Sequence, residues 1–185
     1  MTRQSGKELL SRSGSSRATT HSGLIQVVPL HQMPILDLKI PPPVVALFCT
    51  AFAWLLARFT PDFTYPLHAR ILITVFLGLA GISIALSGVL AFRKAKTTPN
   101  PHTPGKSTSI VRSGPYRFTR NPMYLGLAFV LLGFCTYLAN PWSLVAVLAF
   151  IAYLTRFQIM PEERVLLENF GETYASYTRT VRRWL

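Results

Sequence analysis

The chain has 185 residues, half of them hydrophobic and only 14% charged, with a mean hydropathy of +0.33. Four long apolar segments in so short a chain exclude a soluble helical protein with buried core helices and identify a small polytopic membrane protein. The net charge of +12 does not indicate nucleic-acid binding, because the cations gather on one membrane face and no soluble domain interleaves them with aromatics; attraction to anionic lipid headgroups accounts for them.

Residues 1–32 form a separate region. Met1 to Thr20 is rich in Ser, Arg and Gly, holds one acidic residue, Glu8, and shows neither helical nor strand periodicity, so it is expected to be disordered. The segment is taken as a basic tail or a start-site extension. Met33 is the expected physiological start, since Met33 to Ile40 leads directly into the first span; N-terminal sequencing that begins at Thr2 would overturn this. Residues 33–185 then form the membrane domain.

The first apolar segment follows Pro41-Pro42-Pro43 and runs from Val44 to about Ala57. The second, Ile71 to Phe92, is 22 residues without a charge. The third runs from Met123 to Ala139, and the fourth from Trp142 to about Met160, interrupted by Arg156. A helix needs roughly 20 apolar residues to cross the hydrocarbon core, so only the second meets the length outright. The others reach it with interfacial residues such as Pro43, Phe59, Pro122 and Tyr137. Gly81 and Ala85 in the second span, with Gly78 and Gly88 nearby, permit close helix approach, as do Gly126 and Gly133 in the third. Cys49 and Cys135 fall inside spans, and the four histidines lack ligand spacing, so neither a disulfide nor a metal is expected.

Five of the 19 Lys+Arg precede the first span, seven lie between spans two and three, and five follow from Arg156 onward. The Asn140-Pro141 connection has none and the Arg58–Arg70 loop has two. By the positive-inside rule both termini and the long middle loop are cytoplasmic.

Two constellations carry chemistry. In Ser113 to Gly126, polar turn residues run straight into the third span. Asn121 is a good helix N-cap and Pro122 suits the first helical position. Tyr116, Arg117 and Arg120 gather at the helix's positive end, where a carboxylate or phosphate would bind; anchoring at lipid headgroups is the alternative use of the same residues. The second constellation is Arg156 to Arg164, with Glu162 and Glu163 just past Pro161. Carboxylates at a helix start suit the dipole, and the seven-residue spacing from Arg156 to Glu163 puts both on one face if the helix continues through the proline. Such a pair suits a polar, zwitterionic ligand. Leu167, Phe170, Tyr174, Tyr177, Val181 and Trp184 then trace one apolar stripe, an amphipathic helix at the membrane interface or over the mouth of the bundle. The expected fold is an all-α membrane bundle of about four transmembrane helices plus this C-terminal amphipathic interfacial helix.

From about Leu38 to Leu185 the chain resembles the isoprenylcysteine carboxyl methyltransferase and phospholipid methyltransferase superfamily of integral membrane enzymes. The resemblance is carried by Gly114-Pro-Tyr-Arg-Phe-Thr-Arg-Asn-Pro-Met-Tyr-Leu-Gly126, by Pro161-Glu-Glu-Arg164 one hairpin later, and by the endings Phe170-Gly-Glu-Thr-Tyr and Val181-Arg-Arg-Trp. It implies S-adenosylmethionine as methyl donor at the cytoplasmic end, with a lipophilic acceptor arriving from the bilayer. On that basis Tyr116, Arg120, Asn121, Pro122, Tyr124, Glu162 and Glu163 are candidates for holding the donor, and Arg156 and Arg117 for positioning the acceptor. Carboxyl methyltransferases of the family commonly carry His where this chain has Asn121, which cannot take a proton at neutral pH. The acceptor thus stays open between carboxylate, amine and thiol. An NADPH-dependent reductase akin to membrane sterol reductases and a non-enzymatic scaffold are the rival readings.

Overall fold

The computed structural model describes residues 40–95 and 110–185. The N-terminal tail, Met33 and the Pro-rich stretch 96–105 lie outside the described residues. Helices α1 (Pro42–Phe59) and α2 (Leu67–Lys94) are followed by a 3-10 turn (Gly114–Arg117) and α3 (Pro122–Leu138). After a second 3-10 turn (Pro141–Ser143) come α4 (Leu144–Leu154), a π-helical turn (Thr155–Ile159), α5 (Met160–Phe170) and α6 (Glu172–Thr180). The all-α membrane bundle expected from the sequence is what the chain forms.

Among the described residues three helices are long and apolar enough to cross a membrane: Pro42–Phe59, Leu67–Lys94 and the continuous run Pro141–Phe170. The fourth expected span, α3, has 17 residues. At 1.5 Å per residue it falls about a turn short of a ~30 Å hydrocarbon core. It is also the central helix, packing on α1, α2 and α4. Leu125, Ala128, Leu131 and Cys135 are buried there, with Phe150 and Leu154 of α4 and Ala53 of α1. By contrast α1 and α2 turn Leu47, Phe48, Leu72, Phe76 and Leu79 outward, as helices facing lipid do.

An antiparallel seam of small residues joins α2 to α3. A Cβ on Gly81 would lie 2.5 Å from the Gly126 carbonyl oxygen, and one on Gly126 would lie 2.7 Å from Ala85 Cβ. Gly88 faces Pro122 and Met123, and Gly133 faces the Thr74 carbonyl, whose residue also donates its hydroxyl to Gly133 O at 3.0 Å. Gly78 differs from the expectation: a Cβ there would meet nothing within 4 Å. The close approach needs glycine at 81 and 126 because backbone meets backbone there.

At one end of the bundle Asn140, 3% exposed, ties the α1–α2 and α3–α4 connections together. Its Oδ1 accepts from the Trp142 and Ser143 amides at 2.9 and 3.3 Å. Its Nδ2 donates to Thr60 Oγ1 at 2.8 Å and lies 3.2 Å from the Thr60 and Pro61 carbonyls. The Phe63 amide bonds to Ala139 O at 2.8 Å, and the Tyr65 hydroxyl donates to Thr136 O.

At the other end two local expectations are corrected. Glu162 and Glu163 do not open a helix, because the chain is helical without interruption from Pro141 to Phe170. Pro161 has no N–H to offer Phe157, four residues earlier, and Phe157 lies in the π turn; the wider turn accommodates the missing bond inside a continuing helix. The apolar stripe from Leu167 to Trp184 is not one helix. Gly171, with φ +49° and ψ −129°, breaks it between α5 and α6. Beyond Thr180 the chain turns extended, and Arg182 pairs in parallel with Thr119. This C-terminal arm returns the last residues to the start of α3.

Candidate functional site

An open cleft of about 570 Å³ lies between α5 and α6. From α5 it is lined by Met160, Glu163, Arg164 and Leu167, which share one helix face at spacings of three and four. Tyr174 and Thr178 of α6 form the facing wall, and Arg120 and Arg183 close one end.

Glu163 is the centre of that end. Arg183 grips it with two bonds, Nε to Oε1 at 3.1 Å and Nη2 to Oε2 at 2.6 Å. Arg120 Nη2 meets Oε1 at 3.0 Å. The Arg120 and Glu163 side chains are only 11% and 16% exposed. One carboxylate thus serves two guanidinium groups, and Arg120 Nε is buried with no hydrogen-bond partner among the described residues. The fork geometry of arginine makes such pairs directional as well as strong. Its hydrogen bond to Glu163 raises the Arg183 pKa further above its ordinary value.

Main-chain bonds from the arm hold the cluster. The Arg120 amide donates to Arg182 O at 3.0 Å. Asn121 Nδ2 donates to Arg183 O at 3.0 Å, and Thr119 Oγ1 donates to the same oxygen at 3.3 Å. Trp184 Nε1 donates to Thr155 Oγ1 at 3.0 Å, pinning the arm to the π turn. Asn121 does stand at the N-cap position, but its side chain caps nothing; it is spent on the arm. Pro122 is fully buried at the start of α3, as its fixed φ predicts.

The adjacent glutamates point to different partners, as neighbours about 100° apart on a helix must. Glu162 Oε1 accepts from the Tyr124 hydroxyl at 2.6 Å and from Gln158 Nε2. This second cluster locks α5 to α3 behind the cleft. Tyr116 is buried edge-on against Phe92 at 5.2 Å, and its carbonyl accepts the Tyr177 hydroxyl at 2.7 Å, so it docks α6. Arg112 reinforces that dock by donating to Thr173 O and lying over the Tyr177 ring at 5.5 Å.

The structure therefore brings Arg120 and Glu163 together in the cleft, with Tyr124 and Glu162 behind them. Arg117 is exposed on the 3-10 turn. Arg156 is exposed with its guanidinium 5.3 Å from the Phe157 ring centroid, and it is not among the residues lining the cleft. The π turn carries more residues per turn than an α-helix, so the seven-residue spacing to Glu163 no longer closes two turns. Arg183 is the contributor that sequence reasoning missed. Its signal was the Val181-Arg-Arg-Trp ending, which a continuous helix would have left at the interface.

Comparison with known proteins agrees with this architecture. A model of the phospholipid methyltransferase family matches residues 69–173, more than half of the chain. A Haemophilus influenzae protein described only as uncharacterized is 41% identical over 63 residues, 34% of this chain and all of that protein. No solved structure matches. The chain belongs to the phospholipid methyltransferase family, and its apolar helices make it a membrane methyltransferase. The matched region includes Arg120 and Glu163 but stops short of the arm that carries Arg183.

Proposed function

From membership in this family as the premise, we propose that the protein moves a methyl group from S-adenosylmethionine to a lipophilic acceptor, and that the donor's amino-acid end sits between Arg120, Glu163 and Arg183. The observation that carries this reading is the shared carboxylate: two guanidinium groups bracket one glutamate at the end of a cleft, and one of them keeps a buried, unpartnered Nε. The cleft volume falls in the range of small-molecule sites.

The residues fit the group. A methionine moiety carries a carboxylate, for which the arginine forks are complementary, and an ammonium, for which Glu163 is the one carboxylate lining the cleft among the described residues. When bound, the donor supplies a methyl carbon already activated by its sulfonium, so a nucleophile displaces a neutral thioether. Little bond-making is left for side chains, and catalysis rests on position and exclusion of water. Arg120 and Glu163 are set by α3 and α5, and the Tyr124–Glu162–Gln158 cluster fixes the distance between those helices. The arm supplies Arg183, and α6 forms one wall of the cleft through Tyr174. In this reading Glu163 braces the arginines as well as meeting the donor, and Glu162 acts through Tyr124. Arg93, Lys94, Arg112, Arg117 and the arginines of the arm cluster at the cleft end, which the positive-inside rule assigns to the cytoplasm.

Calorimetric binding of S-adenosylmethionine to the protein in nanodiscs, with NADPH in parallel, tests this. The donor should bind wild type, and Glu163→Gln should weaken it by about tenfold or more, since two cations lose their brace. Wild-type affinity in Glu163→Gln would remove the cleft from the donor site. NADPH binding without donor binding would replace the methyltransferase reading with a reductase.

A further inference from the structure

Among the described residues Glu163 holds two cations, and the two are not equivalent. Arg120 comes from the start of α3, and its side chain is 11% exposed. Arg183 comes from the extended arm, and its side chain is 35% exposed. The arm's main chain is fixed independently of that side chain. Arg182 O accepts from the Arg120 amide, and Arg183 O accepts from Asn121 Nδ2 and Thr119 Oγ1. Trp184 adds its own bond to Thr155. The Arg183 guanidinium can therefore change partner by a change of rotamer while the arm stays in place. In the structure it occupies the carboxylate: Oε1 accepts from Arg183 Nε and meets Arg120 Nη2, and Oε2 accepts from Arg183 Nη2 at 2.6 Å. The three side chains sum to one positive charge.

We propose that Arg183 sets the specificity of this cleft: it admits a ligand that carries an ammonium and a carboxylate together, and rejects one that carries the ammonium alone. The inference rests on the donor reading and deepens it. An ammonium that seeks Glu163 must either join both arginines or displace Arg183. Joining puts three cations around one carboxylate in a partly buried place, which like-charge repulsion opposes. Displacement leaves a guanidinium without its partner. A carboxylate on the same ligand removes both penalties. Arg183 turns its fork from Glu163 to that carboxylate, the buried Nε of Arg120 adds a donor, and the ammonium takes the place that Arg183 left. Ion pairs are exchanged rather than lost, and the zwitterionic end leaves the net charge of the cluster unchanged. Arg120, the more buried of the two, stays with Glu163 throughout. Discrimination thus comes from a penalty on the wrong ligand as well as from contacts to the right one.

Calorimetry on the full chain in nanodiscs compares S-adenosylmethionine with its decarboxylated form, which keeps the nucleoside, the sulfonium and the ammonium. Wild type should prefer the carboxylated compound by about a hundredfold, as expected for two charge-assisted contacts. Arg183→Gln should weaken that compound about tenfold, while the decarboxylated one binds at least as tightly as it does to wild type. Arg183→Lys, which keeps the charge but not the fork, should fall between the two. Arg182→Gln removes the same charge from an exposed neighbour on the arm, so it should leave the preference intact. Parallel weakening of both compounds in Arg183→Gln would mean that Arg183 only braces the cleft; the proposal would be overturned while the donor reading stood. An equal loss of preference in Arg182→Gln would also overturn it, because net charge rather than the Glu163 contact would then set the choice. Failure of S-adenosylmethionine to bind either wild type or Arg183→Gln would sink the donor reading and this specificity with it.

Discussion

The two ends of the bundle are both polar and largely buried, yet they are built on opposite terms. At the Asn140 end one neutral amide is saturated: both its amide nitrogen and its oxygen are used, on two connections, within a few residues. Asn140 and Ser143 are 3% and 0% exposed, and Ser143 Oγ donates to Asn140 O at 2.6 Å. At the Glu163 end the groups are charged, they line an open cleft, and a buried donor, Arg120 Nε, goes unused. A fully satisfied network specifies a fold, whereas unused capacity beside a cavity indicates a ligand. Under the proposed function, the first end carries structural polarity and the second the polarity that meets the donor.

Because the α2–α3 seam connects the two ends, breaking it should damage both. Gly126→Ala places a Cβ against the Gly81 carbonyl and Ala85, and should cost about 3 kcal/mol through overpacking of backbone against backbone. Gly78→Ala is the matched control, since its Cβ meets open space and the helix gains propensity. Thermal unfolding of the two variants in the same nanodiscs should separate them by several degrees or more. Equal melting would mean that the seam does not hold the ends in register.

A narrower cut distinguishes the ends from each other. Asn140→Ala leaves the Trp142 and Ser143 amides and the Thr60 hydroxyl without their partner, and should lower stability by about 2 kcal/mol. Donor affinity of the folded protein should stay at the wild-type value, the converse of Glu163→Gln, which should lose donor even at temperatures where it remains folded. A donor-binding defect in Asn140→Ala, measured well below its melting temperature, would show that the ends are coupled rather than independent.

Much of this was legible in the sequence, and the residues say why. Apolar run lengths placed the first three hydrophobic helices within about four residues at each end, while the fourth runs on to Phe170, past the expected end near Met160, and Asn121-Pro122 marked the start of α3. Gly81, Ala85 and Gly126 declared a packing seam through their small size alone. What periodicity misread was local and had identifiable causes. Pro161 suggested a helix start, but the π turn absorbs it, so register after Thr155 could not be carried forward from spacing. Gly171 was invisible in a stripe defined only by apolar residues, although it alone sets φ +49°. Once the helix breaks there, Arg183 leaves the interface and reaches Glu163, a contact between residues twenty apart that spacing on one helix cannot express.

The smallest test asks whether α6 is a fixed wall of the cleft or a loose cover. Its dock is the Tyr177 hydroxyl on Tyr116 O, in a site where Tyr177 is 5% exposed. Burial raises the Tyr177 pKa to about 12, with the nearby Arg120 and Arg112 pulling it partly back. The folded state therefore favours the neutral phenol. Its contribution is fully present below the unfolded pKa of about 10 and is lost as pH rises from there through about 12. Tyr177→Phe removes the hydrogen bond and the titration together, at a cost of about 1 kcal/mol at pH 8. Melting curves of wild type and Tyr177→Phe should differ at pH 8 and converge as pH passes 10. If the gap stays constant across that range, the phenol is not what docks α6, and Arg112 on Thr173 would have to carry the wall.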